Sequence, residues 1–131
     1  MYKEANGFEI TGSTRVFALI GDPVVHSLSP SFWNAAFRHS GTDAVYVALQ
    51  VSEKDVMTAL SGLQAMHFSG INVTRPLKRK AAEFCRILHE PARITGVVNT
   101  IRFCHNGAEG WNTDVTGLQR ILSRLLRPDS K

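Results

Sequence analysis

The feature that most constrains this chain is the alternation of short apolar runs with segments of helical periodicity. Residues 16–20 (VFALI) form a continuous apolar run ended by Gly-Asp-Pro, which is typical of a strand covered on both faces. Residues 44–51, 70–73 and 97–103 predict three further strands, because they are rich in β-branched and other apolar side chains. Strands separated by helical segments favour parallel pairing, since each helix carries the chain back across the sheet.

Amphipathic helices are predicted after each strand. The first helix begins at Pro30 and ends before Gly41, with Ser29 predicted as its N-cap. Asn106-Gly107 predicts a hairpin turn, so a short antiparallel strand is expected after the fourth strand. The fold class is therefore predicted as α/β: a three-layer α/β/α sandwich with a mostly parallel sheet and an antiparallel edge strand. The other predicted helices cover residues 56–66, 76–88 and 114–126.

Length and composition restrict the class of protein. A chain of 131 residues fits one domain over residues 1–131, and 44% hydrophobic with 20% charged residues is typical of a globular protein. No apolar run approaches the roughly 18 residues of a membrane-spanning helix, so we expect no membrane interaction. The first ten residues lack the order of a secretory signal peptide, which predicts a cytoplasmic protein with two reduced cysteines.

The net charge of +4 favours an anionic partner. Interleaved aromatic residues or a groove-entering motif would accompany nucleic-acid binding, and neither is present, so we expect no nucleic-acid partner. The five histidines show no metal-ligand spacing, so no metal is predicted. A small carboxylate is the anionic partner that remains.

Polar side chains follow the predicted strands at the points where the strands end. Ligands of open α/β sheets collect beyond the carboxyl ends of the strands, so these side chains are candidates for a binding site. Ser27 and Ser29 are two hydroxyls in one loop near a helix start, which suits a single carboxylate. Alternatively, Ser29 caps the helix and Ser27 binds a loop amide. The remaining candidates are Asn72, Thr74, Lys78, Asn99, Thr100 and Asp114.

Lys78 and Asp114 are the candidates for proton-transfer chemistry. If the fold places them across a pocket, the carboxylate positions the ammonium beside an oxygen that gains or loses a proton. Taken alone, each residue also has an ordinary explanation. A lysine early in a helix is usually solvated, and an aspartate at a helix start usually interacts with the first turn.

Four segments in order, GDPVVHSLSP, GINVTRPLK, GVVNT and GWNTD, resemble the substrate-binding domain of the shikimate dehydrogenase family. The resemblance extends from about Val16 to Leu126. It implies that Ser27 and Ser29 hold the substrate carboxylate, and that Lys78 and Asp114 are the catalytic pair acting on shikimate or 3-dehydroshikimate. It also implies that ring hydroxyls contact some of the neutral residues, or loops held by them: Asn72, Thr74, Asn99 and Thr100.

Hydride transfer in this family uses NADP, bound by a separate Rossmann domain. These residues contain no GxGxxG motif after a strand, so we expect no bound cofactor and no activity from this chain alone. It would then work with a Rossmann-domain partner chain, as a homodimer, or as a free-standing carboxylate-binding or partner-binding module. Trp33 and Val115 depart from the family pattern, which normally has His and Gly there, so quinate or an analogue stays open as substrate. At position 115 we expect valine to fit poorly, because a β-branched side chain does not easily take a backbone conformation reserved for glycine.

Overall fold

The computed structural model describes residues 9–126, which form one six-stranded sheet with helices. The strands are β1 Arg15–Gly21, β2 Ala44–Gln50, β3 Gly70–Val73, β4 Ile87–Leu88, β5 Thr100–Cys104 and β6 Gly107–Trp111. The helices are α1 Ser29–Ser40, α2 Val56–Ala65, α3 Lys78–Phe84, α4 Ala92–Thr95 and α5 Thr113–Leu125.

The strand order is β2-β1-β3-β5-β6-β4, and the sheet divides into two halves. β1 pairs in parallel with both β2 and β3, as the alternating pattern predicts. β5 is antiparallel to both β3 and β6, while the edge strand β4 is parallel to β6. The predicted α/β class is confirmed. The reversed strand, however, is the interior β5 and not an edge strand.

The third predicted helix, residues 76–88, is wrong at both ends. It begins at Lys78 and ends at Phe84, and Cys85 then adopts an extended conformation with φ −71° and ψ 130°. Ile87 and Leu88 pair with β6 as a two-residue strand. Short apolar segments fit a helix or a strand equally well by periodicity, so the available partner strand decides the outcome.

Helices cover both faces of the parallel half of the sheet. On one face, Phe37 of α1 packs in a cluster with Leu19 and Tyr46. On the other face, Leu60 of α2 and Ala81 of α3 belong to the main core together with Ile20. Successive side chains of a strand point to opposite faces, so β1 contributes to both clusters. The three-layer arrangement is thus present across the parallel half.

Helix α5 presents its apolar side to solvent in the described chain. The start of the helix is capped, because the Asn112 side chain accepts a hydrogen bond from the Val115 N–H at 3.3 Å. Its apolar residues are nevertheless exposed by 44–74%: Leu118, Ile121, Leu122 and Leu125. No helix within residues 9–126 is long and apolar enough to cross a membrane.

Candidate functional site

The predicted site residues lie at one edge of the sheet. β1 and β3 are parallel and end there, whereas the antiparallel β5 begins there and β6 ends there. The loops after β1, β3 and β6 and the start of β5 therefore meet, although they are distant in sequence. Gly21 illustrates the close approach: a Cβ at this position would collide with the Thr74 side chain.

A cavity of about 340 Å³ lies at this edge between the loops that follow β1 and β3. Ser27, Ser29 and Thr74 provide its predicted polar groups, and His26 lines it as well. Leu19 and Val24 contribute apolar surface to the same cavity. A small pocket of this kind, with a few convergent polar groups, is typical of a site for a small polar ligand.

The prediction that Ser29 caps α1 is wrong, and the two serines have different positions at the helix start. Leu28 is the N-cap residue, no side chain caps α1, and Ser29 is the first helical residue. The Ser27 hydroxyl accepts a hydrogen bond from the Ser29 N–H at 3.2 Å. Ser27 therefore orders the start of the helix, as the loop-amide alternative expected, and its hydroxyl hydrogen can still be donated to a ligand.

Lys78 and Asp114 form a direct ion pair, with Nζ and Oδ2 2.7 Å apart. Lys78 is the first residue of α3 and Asp114 lies in the first turn of α5, so two helix starts bring them together. The side chains are 27% and 60% exposed respectively, and ion pairs in such positions stabilise a fold by only about 0–1 kcal/mol. Both lie outside the lining of the serine cavity. The pair is thus outside the lining of this cavity and open to solvent.

The neutral candidates form a connected hydrogen-bond network next to the cavity. Asn72 Nδ2 donates to Thr100 Oγ1 at 3.2 Å, and Thr100 Oγ1 donates to Asn99 Oδ1 at 3.0 Å. Asn99 Nδ2 donates to Thr113 Oγ1 at 2.9 Å, and the Thr113 N–H returns to Asn99 Oδ1 at 2.9 Å. Thr113 precedes Asp114, so the network connects β3 with the acidic start of α5.

Tyr46 belongs to this network and was not predicted as a site residue. Its hydroxyl donates to Asn72 Oδ1 at 2.9 Å, and its side chain is only 4% exposed. Burial raises the pKa of Tyr46 to about 12, while the neighbouring Ser29 hydroxyl acts in the opposite direction. The signal that could have identified it is a tyrosine in a strand with a buried face, since buried tyrosine hydroxyls need a partner.

The two departures from the family pattern have simple structural outcomes. Val115 lies in the regular helix α5, and among residues 9–126 the only non-glycine residue with positive φ is His67. The expectation that this position requires a glycine conformation is therefore wrong. Trp33 stacks on the Tyr46 ring at 6.2 Å between centroids, so it packs on the outer side of the tyrosine.

The hairpin that carries Gly107 and Gly110 does not fit the phosphates of a dinucleotide. Gly107 and Gly110 lie in the β5–β6 hairpin, where a Cβ on Gly110 would collide with Val98 and Cys85, so this backbone is packed and not a phosphate cradle. Within residues 9–126 no three His, Cys, Asp or Glu side chains are grouped as metal ligands. Burial raises the pKa of the Cys85 thiol to about 11, and both cysteines are free.

The fold and the candidate site are those of an α/β substrate-binding domain: a small polar cavity, a lysine–aspartate pair and a neutral amide network lie at one edge of a mixed sheet. The family model for the shikimate dehydrogenase substrate binding domain matches residues 19–101, more than half of the chain. The chain belongs to this family.

Relatives and solved structures agree with the assignment. The chain is 44% identical over 113 residues to "Shikimate dehydrogenase (NADP(+))" of Anaeromyxobacter sp. (strain K), covering 86% of this chain and 41% of the relative. It superposes with TM-score 0.83 and 37% identity on a Listeria monocytogenes shikimate 5-dehydrogenase in complex with shikimate and NAD, covering 88% of this chain and 40% of that one. The chain thus spans about two fifths of the length of these relatives.

A third match concerns a different substrate. The chain superposes with TM-score 0.82 and 25% identity on the ligand-free form of 5-ketofructose reductase of Gluconobacter sp. strain CHM43. The match covers 92% of this chain and 44% of that one. The same architecture therefore occurs in a protein that is named for a different substrate.

Proposed function

We propose that this chain is a single substrate-binding domain that holds shikimate or 3-dehydroshikimate for NADP-dependent hydride transfer. The observation that carries the proposal is the gathering of the serine cavity and the Lys78–Asp114 ion pair at one sheet edge. Nothing in the local sequence of α3 or α5 requires these groups to meet. The resemblance to shikimate dehydrogenases supplies the substrate class.

The serine cavity binds the carboxylate in this proposal. The hydroxyls of Ser27 and Ser29 and the Thr74 hydroxyl donate to carboxylate oxygens, and neutral donors bind an anion without requiring a buried counter-charge. The cavity lies directly before α1, whose N-terminal N–H groups also favour negative charge. Ser27 and Ser29 thus fix the acid end of the substrate.

The ion pair acts at the opposite end of the substrate, on its hydroxyl or ketone. As the neutral amine, Lys78 Nζ takes a proton from the ring hydroxyl during oxidation and becomes the ammonium; as the ammonium, it returns that proton to the oxygen during reduction. Asp114 Oδ2, 2.7 Å from Nζ, keeps the ammonium aimed at that oxygen. Asn72 and Thr100 order the edge, and Asn99 Nδ2, which has a second hydrogen besides the one given to Thr113, donates to a remaining ring hydroxyl.

NADP supplies the hydride when it is bound, and in this proposal its contacts come from residues outside this chain. A Rossmann-type domain of a longer protein, or a separate partner chain, would provide them. The exposed apolar side of α5 offers a surface for such a partner or for a homodimer. We propose a cytoplasmic setting, where reduced thiols and soluble substrates are found.

A titration of the ¹⁵N-labelled chain tests the proposal. Shikimate should shift the amide signals of Ser27, Ser29, Lys78 and Asp114, whereas NADP should shift none of them. Quinate is the matched competitor, because it carries a carboxylate and ring hydroxyls on a saturated ring. No shift with either acid contradicts the binding function, and shifts with quinate alone redirect the substrate assignment.

A further inference from the structure

Tyr46 stands apart from the other network members because it comes from the edge strand β2 and not from the loops that carry the site. Its backbone is fixed by α1: Asn34 Nδ2 donates to the Tyr46 carbonyl at 2.8 Å, and the Tyr46 N–H donates to Asn34 Oδ1 at 2.9 Å. One side chain thus satisfies both outward-facing backbone groups of an edge residue. Its ring is held between β1 and α1 in the smaller core cluster.

The hydroxyl of Tyr46 meets an amide whose orientation can be deduced from its other partner. Asn72 Nδ2 faces the Asn99 carbonyl oxygen at 3.3 Å, and a carbonyl oxygen can only accept a hydrogen bond. The nitrogen of Asn72 must therefore lie on that side, and its oxygen faces Tyr46. Because the oxygen only accepts, the tyrosine hydroxyl must donate.

The orientation of the Asn72 amide sets the direction of the hydrogen bonds that follow. Thr100 Oγ1 accepts from Asn72, so it directs its single hydrogen to Asn99 Oδ1. The oxygen of Asn99 is held inside the network by Thr100 and by the Thr113 N–H, and its nitrogen donates to the Thr113 hydroxyl at the start of α5. The network therefore presents an amide donor, and not an acceptor, at the edge where the candidate site lies.

We propose that Tyr46 is a positioning residue whose hydroxyl holds the Asn72 amide in place and thereby stabilises the network through which Asn99 offers an amide donor to the substrate's ring hydroxyls. The ligand part of this inference rests on the proposed function, whereas the locking of the amide does not. The elevated pKa of Tyr46, about 12, supports a hydroxyl that remains a donor across the physiological pH range. Within residues 9–126 no buried polar side-chain atom lacks a partner, so removal of this hydroxyl leaves a specific gap.

The first test measures the amide without any ligand. In Tyr46→Phe the ring and its packing remain, and we expect the side-chain amide signals of Asn72 and Asn99 to shift and to broaden. Trp33→Phe is the matched control, because it alters packing on the same ring and keeps the hydroxyl. Unchanged amide signals in Tyr46→Phe, or loss of the fold, would overturn the proposal, since the hydroxyl would then be inert or merely structural.

The second test measures shikimate affinity by calorimetry. Tyr46→Phe should raise the dissociation constant about tenfold, as expected for the loss of one buried hydrogen bond, whereas Trp33→Phe should leave it unchanged. In the Asn72→Ala background the tyrosine substitution should have no further effect, because Tyr46 acts through Asn72. Additive losses in the double variant would overturn the inference. Failure of the unmodified chain to bind shikimate would instead contradict the proposed function, and the amide signals would still decide the role of Tyr46.

Discussion

Two halves of the same sheet face carry polar groups of opposite kinds. In the parallel half, Tyr46 and Asn72 are neutral, and their hydrogen bonds lead to the edge with the candidate site. In the antiparallel half, a charged cluster formed by His89, Arg102, Cys104 and Glu109 lies on β5, β6 and the residue after β4. Both groups of side chains are linked by hydrogen bonds, but only the neutral group extends to the edge with the candidate site.

The hydrogen bonds of the charged cluster join its own members to one another. Glu109 accepts from His89 Nε2 at 2.9 Å, from Arg102 Nη2 at 3.1 Å and from Cys104 Sγ at 3.4 Å. The His89 hydrogen bond, followed by those from Arg102 and Cys104, lowers the pKa of Glu109 to about 2. His89 also stacks on Trp111 with ring centroids 4.3 Å apart. The neutral hydrogen bonds thus extend towards the candidate site, whereas the charged groups neutralise one another within the sheet.

Lys78→Ala should give the largest effect, a loss of turnover. This loss would place the chemistry in the parallel half of the sheet. In a longer protein that also carries a dinucleotide-binding domain, turnover should fall about 10²- to 10⁴-fold, while shikimate affinity changes much less. Arg102→Ala removes a cation from the charged cluster and is the matched control, which should keep the rate. Steady-state kinetics measures both variants, and an equal loss in the two would abolish the distinction between the halves.

The next largest effect is on the free energy of unfolding, and it is tested with one isoleucine from each half of the sheet. Ile20 is fully buried between α2, α3 and the sheet, so Ile20→Ala should lower the free energy of unfolding by about 2–5 kcal/mol. Ile87 is 48% exposed on the edge strand, and Ile87→Ala should cost less than about 1 kcal/mol. Urea unfolding measures both values. Similar losses would show that the antiparallel half is as well packed as the parallel half.

The smallest effect is on the stability of the fold at low pH, and it arises from Glu109 in the charged cluster. The pKa of Glu109 falls from 4.5 to about 2 on folding, so its ionisation stabilises the fold above pH 4.5, and this contribution is lost as the pH falls towards 2. Glu109→Gln should therefore flatten the loss of stability over that interval. Urea midpoints between pH 2 and pH 6 measure the change, and parallel pH profiles for the two proteins would contradict it.

The sequence predicted the parallel half well because its signals are local. Residues 16–20 and 44–51 are long, β-rich and bounded by turn residues, and both form the expected strands. The sequence prediction had Lys78 and Asp114 on opposite sides of a pocket, whereas the structure places Nζ and Oδ2 in direct contact at 2.7 Å.

The failures arose where tertiary pairing decides the outcome. β4 is only two residues long and exists because β6 lies beside it, which no local pattern reveals. The predicted N-cap of α1 was wrong by one residue, because the cap is Leu28 and not Ser29. Sequence patterns do not locate a helix end to within a single residue. Tyr46 was missed because its partner Asn72 is 26 residues away.

The most direct test of the central claim compares shikimate with its methyl ester on the unmodified chain by calorimetry. If the cavity of Ser27 and Ser29 holds the carboxylate, shikimate should bind at least about tenfold more tightly than the ester, as expected for charge-assisted hydrogen bonds. Ser29→Ala should reduce that preference. Equal affinity for the acid and the ester, unaffected by the substitution, would contradict the account.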